Sequence, residues 1–276
     1  MENGKLYLVA TPIGNLEDIT LRAIRILKEV DYIAAEDTRH TLKLLDHLEI
    51  TKPLISYHRH NEEIKTEELL QKLKMGKNIA LVSDAGTPVI SDPGEQVVKE
   101  ALEEGIEVIP IPGACALINA LIASGLDTKE FAFYGFLSIH KKLKKEKLEQ
   151  IKKENKTVIL YEAPHKLQTT LKDIQEILGD RYIVIARELT KIHEEFIRGT
   201  VSEILENYPE PKGEHIILIE KSAEKEEESE NEETIEERYA YYEKQGLMKN
   251  EIIKKIAKER GVPKNEIYQY ILKKVE

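Results

Sequence analysis

The chain of 276 residues contains one cysteine, Cys115, which excludes a disulfide within the chain and a cysteine-rich zinc site. It also lacks any apolar run near the ~20 residues that a membrane-spanning helix needs. Residues 1–5 do not show the basic and then apolar order of a signal peptide. These absences predict a cytoplasmic protein that does not enter a membrane.

Two glycine-rich nucleotide motifs are absent as well. The first apolar strand, at residues 5–10, is followed by a turn that contains Gly14 and by a helix that begins at Thr20. A strand, a glycine-containing turn and a helix are typical of the start of a nucleotide site. The turn, however, spells neither Gly-x-Gly-x-x-Gly nor a Walker A loop, which excludes a dinucleotide fingerprint and a P-loop.

Charge is distributed unevenly along the chain. The formal net charge is −10. Residues 224–237 contain nine Glu and one Lys, which predicts an acidic linker without a core. Residues 238–276 contain ten Lys and Arg against five Glu, a local net charge of +5. A basic patch of this kind is typical of phosphate binding.

The basic tail is predicted to form three short helices, over residues 234–246, 250–260 and 264–275. The turn at Gly261 between the second and third helices resembles that of a helix-turn-helix module. A small helical unit that dimerises or caps the fold is equally compatible with the pattern. The tail is therefore either a nucleic-acid module or a structural unit.

Residues 81–113 contain the clearest binding-site pattern. An apolar strand (Ile79–Val82) leads into the polar loop 83–94, and a second strand, at 106–109, ends in Pro-Ile-Pro-Gly at 110–113. We expect these two strands to be neighbours. Loops at the carboxyl ends of strands form the crevice in which open α/β folds bind small molecules. The sequence therefore predicts a small-molecule site here.

Charged side chains follow four other predicted strands. The clusters are residues 36–39, 58–62, 162–165 and 187–191. A helix cap explains one residue of the first cluster, but not a carboxylate pair beside Arg39. His58 and His60 lack a third ligand at a metal-binding spacing, so no metal site is predicted. The lysine run at 141–147 is either a solvated helix face or a phosphate-binding surface at the edge of the cleft.

The order of elements predicts an α/β protein with two domains and an appendage. The first domain is placed at residues 1–138, with Phe131–Phe136 completing its sheet, and the second at 139–222. The acidic linker then covers 223–233, and the small, basic helical domain covers 234–276.

These motifs resemble those of the tetrapyrrole-methylase-like class of S-adenosylmethionine-dependent methyltransferases. The resemblance implies two α/β domains with the cofactor in the cleft between them, and a homodimer. Within the class, the chain is similar to members that methylate the ribose 2′-hydroxyl of a decoding-region cytidine in 16S rRNA. The matching segments are residues 10–16, 35–39, 60–62, 83–94, 112–113, 187–191 and 212–214.

Some positions differ from the porphyrin-modifying members of the class. Their first loop reads Gly-x-Gly-Pro-Gly-Asp, whereas this chain has Ala10, Pro12 and Asn15 in place of Gly, Gly and Asp. Their Gly-Asp-Pro motif appears here as Gly86-Thr87-Pro88. These differences argue against a tetrapyrrole substrate, but they leave the cofactor crevice in place.

Carried over position by position, the resemblance implies contacts between the cofactor and the loop that contains Gly86, with the start of an apolar helix beneath it. The second domain would supply the wall around the adenosine. The implied cofactor-binding residues are Pro12, Asp84, Gly86, Thr87, Ile90, Ala116, Leu117, Glu162, Arg187 and Gly213.

Methylation of a hydroxyl requires a group that accepts its proton. The candidates are the carboxylates of Glu36, Asp37 and Glu62 and the amine of Lys191. We expect Asp37 or Glu62 beside the 2′-hydroxyl, with Arg39 and Lys191 on the flanking phosphates.

Two alternative functions remain open at this point. A methyltransferase for a tetrapyrrole ring predicts an apolar cleft and no need for the basic tail. A non-catalytic RNA-binding factor for ribosome assembly predicts that S-adenosylmethionine does not bind.

Overall fold

The computed structural model describes residues 2–208, 213–222 and 234–274. The chain divides into two compact units, Met1–Ser222 and Ala223–Glu276. Three parts of the sequence-based interpretation lie outside the described residues. They are Lys212, the acidic segment 223–233 and the end of the last predicted helix at Val275.

The first sheet contains five parallel strands. They are β1 (Leu6–Val9), β2 (Tyr32–Ala35), β3 (Leu54–Ser56), β4 (Ile79–Val82) and β5 (Val108–Ile111), in the order β3-β2-β4-β1-β5. Parallel strands need crossover helices. These are α1 (Leu21–Glu29), α2 (Thr38–His47), α3 (Glu62–Lys74) and α4 (Glu95–Glu103), and α5 (Ala116–Ser124) follows β5.

Both faces of the first sheet are buried, as expected for a parallel sheet. Along β4, Ile79 and Leu81 belong to one hydrophobic cluster, whereas Ala80 and Val82 belong to the cluster on the opposite face. Side chains of a strand alternate between faces, so an apolar run without polar gaps is the pattern that this environment requires.

The second sheet is mixed. Its strands are β6 (Phe131–Phe136), β7 (Thr157–Glu162), β8 (Tyr182–Arg187), β9 (Glu195–Thr200) and β10 (His215–Ile219), in the order β6-β7-β10-β8-β9. Only the β6–β7 pair is parallel. Helices α6 (Lys141–Lys152), α7 (Pro164–Leu178) and α8 (Val201–Asn207) pack on one face, and α5 packs on the other.

The position of β6 corrects the expectation that it completes the first sheet. Phe131 pairs with Thr157, and the pairing continues to Phe136 opposite Tyr161. The membership of a strand depends on which distant strand it meets, and an apolar pattern of six residues does not encode that partner. The two sheets lie within the same compact unit.

Two further expectations about the first sheet are wrong. Strand β5 contains Pro110 instead of ending before it, because β5 is an edge strand and a missing N–H is tolerated there. Strands β4 and β5 are also not neighbours, since β1 pairs with both.

The C-terminal unit contains the three predicted helices. They are α9 (Ile235–Lys244), α10 (Lys249–Glu259) and α11 (Lys264–Lys274), and they enclose a small core of tyrosine and isoleucine side chains. In the described ranges, no helix combines the length and the apolar character needed to cross a bilayer.

Candidate functional site

A cavity of about 500 Å³ lies where the carboxyl ends of the first sheet meet the second sheet. Ile13, Glu36 and the segment from Asp84 to Thr87 line it from the loops after β1, β2 and β4. Glu162 and His215, paired neighbours in β7 and β10, line it from the other side. The volume is that of a small-molecule site.

The loop after β4 is held close to the loop after β1. Thr11 and Gly86 exchange two backbone hydrogen bonds, of 2.9 and 3.0 Å. Gly86 has φ +83°, and a Cβ placed on it would lie 3.0 Å from Cγ2 of Ile13. Thr87 Oγ1 donates to the carbonyl of Ala114 over 3.0 Å. The cavity wall at Gly86 therefore consists largely of backbone held in place from both sides.

The same loop continues through an unusual backbone conformation. Val89 and Ser91 have φ values of +75° and +68°, which are rare for residues other than glycine and rarest for β-branched ones. The cluster at 58–62 supports this segment, because Arg59 donates to the carbonyl of Ser91 and Glu62 accepts from the N–H of Gly94 over 2.9 Å. Such strain persists only where the surroundings impose it.

Three carboxylates line the cavity near this loop, namely Glu36, Asp84 and Asp92. Burial raises the pKa of Asp92 to about 6, and the neighbouring carboxylate of Glu36 adds to the rise. Burial, followed by the charge of Asp84, also raises the pKa of Glu36. Arg59 acts in the opposite direction on both Glu36 and Asp92. The cavity thus contains carboxylates that take up a proton more readily than exposed ones do.

Asp37 and Arg39 bind each other. Asp37 Oδ1 accepts from the backbone N–H of Arg39 over 2.9 Å, as the cap of α2, and Oδ2 lies 2.7 Å from Nη2 of Arg39. Hydrogen bonds from Arg39 hold the pKa of Asp37 well below its usual range. Neither residue lines the cavity, although the N–H of Asp37 donates to Oδ1 of Asp84 over 2.9 Å. Asp37 therefore lies outside the cavity lining, and its N–H holds the side chain of Asp84, which lines the cavity.

Glu62 and Lys191, the other two predicted catalytic residues, lie in different places. Glu62 accepts from the hydroxyl of Tyr57 over 3.1 Å and does not line the cavity. Lys191 does line it, with Nζ 3.0 Å from Oε1 of Glu188. A Cβ on Gly14 would lie 2.5 Å from Cγ of Lys191, so the glycine allows this lysine to cross the first loop.

The second sheet supplies two buried polar side chains to the cavity. Glu162 accepts hydrogen bonds from the hydroxyl of Thr170 and from the N–H of Ala163. His215 Nε2 lies 3.0 Å from the hydroxyl of Tyr208. Burial lowers the pKa of His215 to about 4, so its ring is neutral at physiological pH.

Arg187 and Gly213 lie outside the cavity lining. Arg187 Nη2 is 3.0 Å from Oε2 of Glu195, and its side chain does not reach the cavity lining. Gly213 has φ +78°, and the side chain of Glu188 occupies the place that a Cβ would take. Glu188 therefore joins the segment before β10 to the loop after β8.

Eight of the fifteen predicted site residues line the cavity. These are Glu36, Asp84, Gly86, Thr87, Ile90, Ala116, Glu162 and Lys191. The others lie outside the lining, namely Pro12, Asp37, Arg39, Glu62, Leu117, Arg187 and Gly213.

The sequence-based interpretation missed some residues of the cavity. Asp92 lies in Ser-Asp-Pro-Gly, which is typical of a turn, and His215 begins a buried strand. The only signal for either residue was its position at a strand end or in the glycine-rich loop. Among the described residues, no group of three His, Cys, Asp or Glu side chains is arranged to hold a metal ion.

Residues 5–205 match the profile of a family described as tetrapyrrole (corrin/porphyrin) methylases. The chain belongs to this family. The family and the two-domain α/β fold expected from the motifs are thereby confirmed.

Two relatives in this family are similar over nearly the whole chain, and both are named ribosomal RNA small subunit methyltransferase I. The protein from Bacillus subtilis is 53% identical, with 96% of this chain and 93% of the relative covered. The protein from Synechocystis sp. is 51% identical, with 98% of each covered.

Solved structures of the family share the fold. The crystal structure of uroporphyrin-III C-methyltransferase from Thermus thermophilus, in complex with S-adenosylhomocysteine, has a TM-score of 0.56 and 20% sequence identity. The alignment covers 79% of this chain and 97% of that one.

Proposed function

We propose that the protein uses S-adenosylmethionine to methylate the ribose 2′-hydroxyl of a decoding-region cytidine in 16S rRNA, within the small ribosomal subunit in the cytoplasm. The observation that carries this proposal is the cavity between the two sheets, because eight residues expected at the site line it. The names of two relatives with more than 50% identity support ribosomal RNA as the acceptor.

The residues of the cavity fit this cofactor. S-adenosylmethionine supplies an electrophilic methyl group on a positively charged sulfonium. The carboxylates of Glu36, Asp84 and Asp92 give the cavity a negative potential that favours a cationic ligand. The backbone around Gly86 has no side chain to prevent close approach, and the buried Glu162 supplies a carboxylate on the opposite wall.

Glu36 and Asp92 are better placed to accept the proton of the hydroxyl than Asp37 and Glu62. Both line the cavity and have raised pKa values, as a general base at neutral pH requires. Asp37 is bound to Arg39 and has a lowered pKa, and Glu62 supports the backbone of Gly94. A role for Asp37 or Glu62 as the base stays a prediction. The positions of the side chains favour Asp92 as the base, with Glu36 as its neighbouring carboxylate.

Basic side chains near the cavity suit the phosphates of RNA. Lys191 lines the cavity, and the side chain of Arg39, in the first turn of α2, is 86% exposed. Helix α6 adds exposed Lys141, Lys142 and Lys145. Contacts of this kind position the nucleic acid without reading its sequence.

We also propose that the protein is a homodimer, as the family resemblance implies. Helix α5 buries Leu117, Ala120 and Leu121 against the second sheet. Its other face exposes Ile118 and Ile122, which are 40% and 69% exposed. We place the contact between subunits at this exposed apolar pair, on a helix that otherwise packs in the core.

Three carboxylates in the cavity lining, those of Glu36, Asp84 and Asp92, argue against a tetrapyrrole substrate, for which an apolar cleft was expected. Calorimetry with S-adenosylmethionine, followed by transfer of labelled methyl groups to unmodified small subunits, tests the proposal. Binding with transfer to RNA supports it. Failure to bind the cofactor would favour a non-catalytic assembly factor.

A further inference from the structure

Strand β6 contains a bulge beside the cavity. Phe133 pairs with Ile159 of β7, and Gly135 pairs with the next residue, Leu160, so Tyr134 is an extra residue on β6. Gly135 has φ +61°, a conformation that glycine adopts without strain. Bulges often occur next to active sites, where they change the direction of a side chain.

The bulge brings two phenylalanines to one face of the sheet. Side chains three residues apart on a regular strand point to opposite faces. Here Phe136 pairs with Tyr161, two residues after Ile159, and so it shares a face with Phe133. Both rings contact Tyr161 edge to face, with centroids at 4.9 Å for Phe133 and 5.6 Å for Phe136.

Phe136 is the exposed end of this aromatic row. It is 59% exposed and lines the mouth of the cavity, whereas Phe133 packs into the core with α5. A ring that contacts Tyr161 edge to face and is otherwise largely exposed offers a preoriented surface for stacking. Its exposure shows that the core does not require it.

Cationic side chains follow Phe136 closely. Helix α6 begins at Lys141, and Lys141, Lys142 and Lys145 are all exposed. An exposed aromatic ring followed along the chain by exposed lysines is a combination that suits single-stranded nucleic acid, because a base can stack on the ring while lysines contact phosphates.

We propose that Phe136 stacks on a nucleobase of the RNA acceptor and thereby places the ribose at the cavity. The inference rests on the proposed function. It adds the residue that recognises an unstacked base, and the bulge at Tyr134 is the feature that positions this residue.

The test measures methyl transfer to unmodified small subunits under steady-state conditions, together with the cofactor affinity by calorimetry. Phe136→Ala is expected to lower kcat/KM for the RNA by about 5- to 100-fold, mainly through KM, because this is the range of one stacking contact. Cofactor affinity is expected to change much less than kcat/KM, because the ring of Phe136 is 59% exposed where it lines the cavity. Phe136→Tyr keeps the ring and is expected to retain kcat/KM within about threefold.

Two variants complete the design. Phe136→Leu keeps an apolar side chain without a π face, and it is expected to behave like Phe136→Ala. Phe131→Ala removes a phenylalanine from the other end of β6, which does not line the cavity, and is expected to retain wild-type kcat/KM.

Three outcomes would overturn the inference. They are an unchanged kcat/KM in Phe136→Ala, full activity in Phe136→Leu, or a loss of cofactor affinity as large as the loss of kcat/KM. Absence of RNA methylation by the wild-type protein would overturn the proposed function and the inference with it. The wild-type assay is therefore measured separately from the assays of the variants.

Discussion

Thr11 and Gly86 exchange two backbone hydrogen bonds, of 2.9 and 3.0 Å, and so join the loop after β1 to the loop after β4. These loops form one wall of the cavity, through Ile13 and through Asp84 to Thr87. The pairing requires the left-handed conformation of Gly86, at φ +83°. The geometry of the proposed cofactor site therefore depends in part on this glycine and its partner.

Gly86→Ala is expected to weaken S-adenosylmethionine binding about tenfold, with loss of roughly 1–2 kcal/mol of stability. The new Cβ lies 3.0 Å from Cγ2 of Ile13, and an alanine at this φ is strained. Calorimetry and urea unfolding measure the two effects.

Gly105→Ala is the matched control. Gly105 has φ +69°, and no atom lies within 4 Å of the place that a Cβ would take, so the two variants share only the backbone strain. Cofactor affinity is expected to be unchanged in this variant. An equal loss of affinity in both variants would contradict a specific role of Gly86.

The rate of methyl transfer is expected to fall about tenfold per pH unit below pH 6, because a general base must be ionised and burial raises the pKa of Asp92 to about 6. Asp92→Asn is expected to reduce the single-turnover rate by roughly 100-fold or more and to abolish this pH limb. Glu36→Gln is expected to lower the pH at which the limb occurs, because it removes a neighbouring negative charge.

Stability measurements show whether the lower methyl-transfer rate of Asp92→Asn comes from unfolding. The pKa of Asp92 is higher in the folded than in the unfolded protein, so the folded state binds the proton more tightly and loses stability as the pH rises from about 4 to about 6. Asp92→Asn removes this pH-dependent fall in stability, and the variant is expected to be at least as stable as the wild type at pH 7. If Asp37→Ala or Glu62→Ala alone abolished the pH limb, the base would be assigned to that residue.

The loop at residues 83–94 and most helices could be predicted from local patterns, whereas long-range pairing could not. Thr20 caps α1, and Gly125 ends α5, as short-range rules predict. The sequence-based interpretation assigned β6 to the wrong sheet, because the partner of β6, β7, follows it by about twenty residues. Asp92 was not predicted as a candidate base, since its raised pKa arises from burial and from Glu36, which is distant in sequence.

Binding of RNA is expected to depend on the exposed lysines of α6. Lys141→Ala and Lys145→Ala are each expected to weaken binding and to reduce the slope of log affinity against log salt by about 0.7 per lost phosphate contact. Fluorescence anisotropy with an rRNA fragment at several salt concentrations measures this.

Lys144→Ala on the same helix is the control. Lys144 Nζ lies 2.6 Å from Asp173, and the side chain is only 13% exposed. Its removal is expected to affect stability without changing the salt slope. Equal slopes for the wild type and the variants of exposed lysines would contradict a phosphate contact by α6.

The proposed homodimer is expected to dissociate when its apolar helix face is charged. Ile122→Arg on α5 is expected to give a monomer in light scattering at micromolar concentration, because an unpaired charge would be buried at the contact. Ile64→Arg, on α3, changes a similarly exposed isoleucine (77%) and is expected to leave the mass unchanged. A dimer of unchanged stability in Ile122→Arg would contradict a contact through α5.

The proposed function is decided by mass spectrometry of ribose-methylated cytidines in 16S rRNA from a deletion strain. One decoding-region cytidine is expected to lose its ribose methyl group and to regain it when the wild-type gene is restored. A gene carrying Asp92→Asn is expected not to restore it. An unchanged set of ribose-methylated cytidines in the deletion strain would contradict the proposed function.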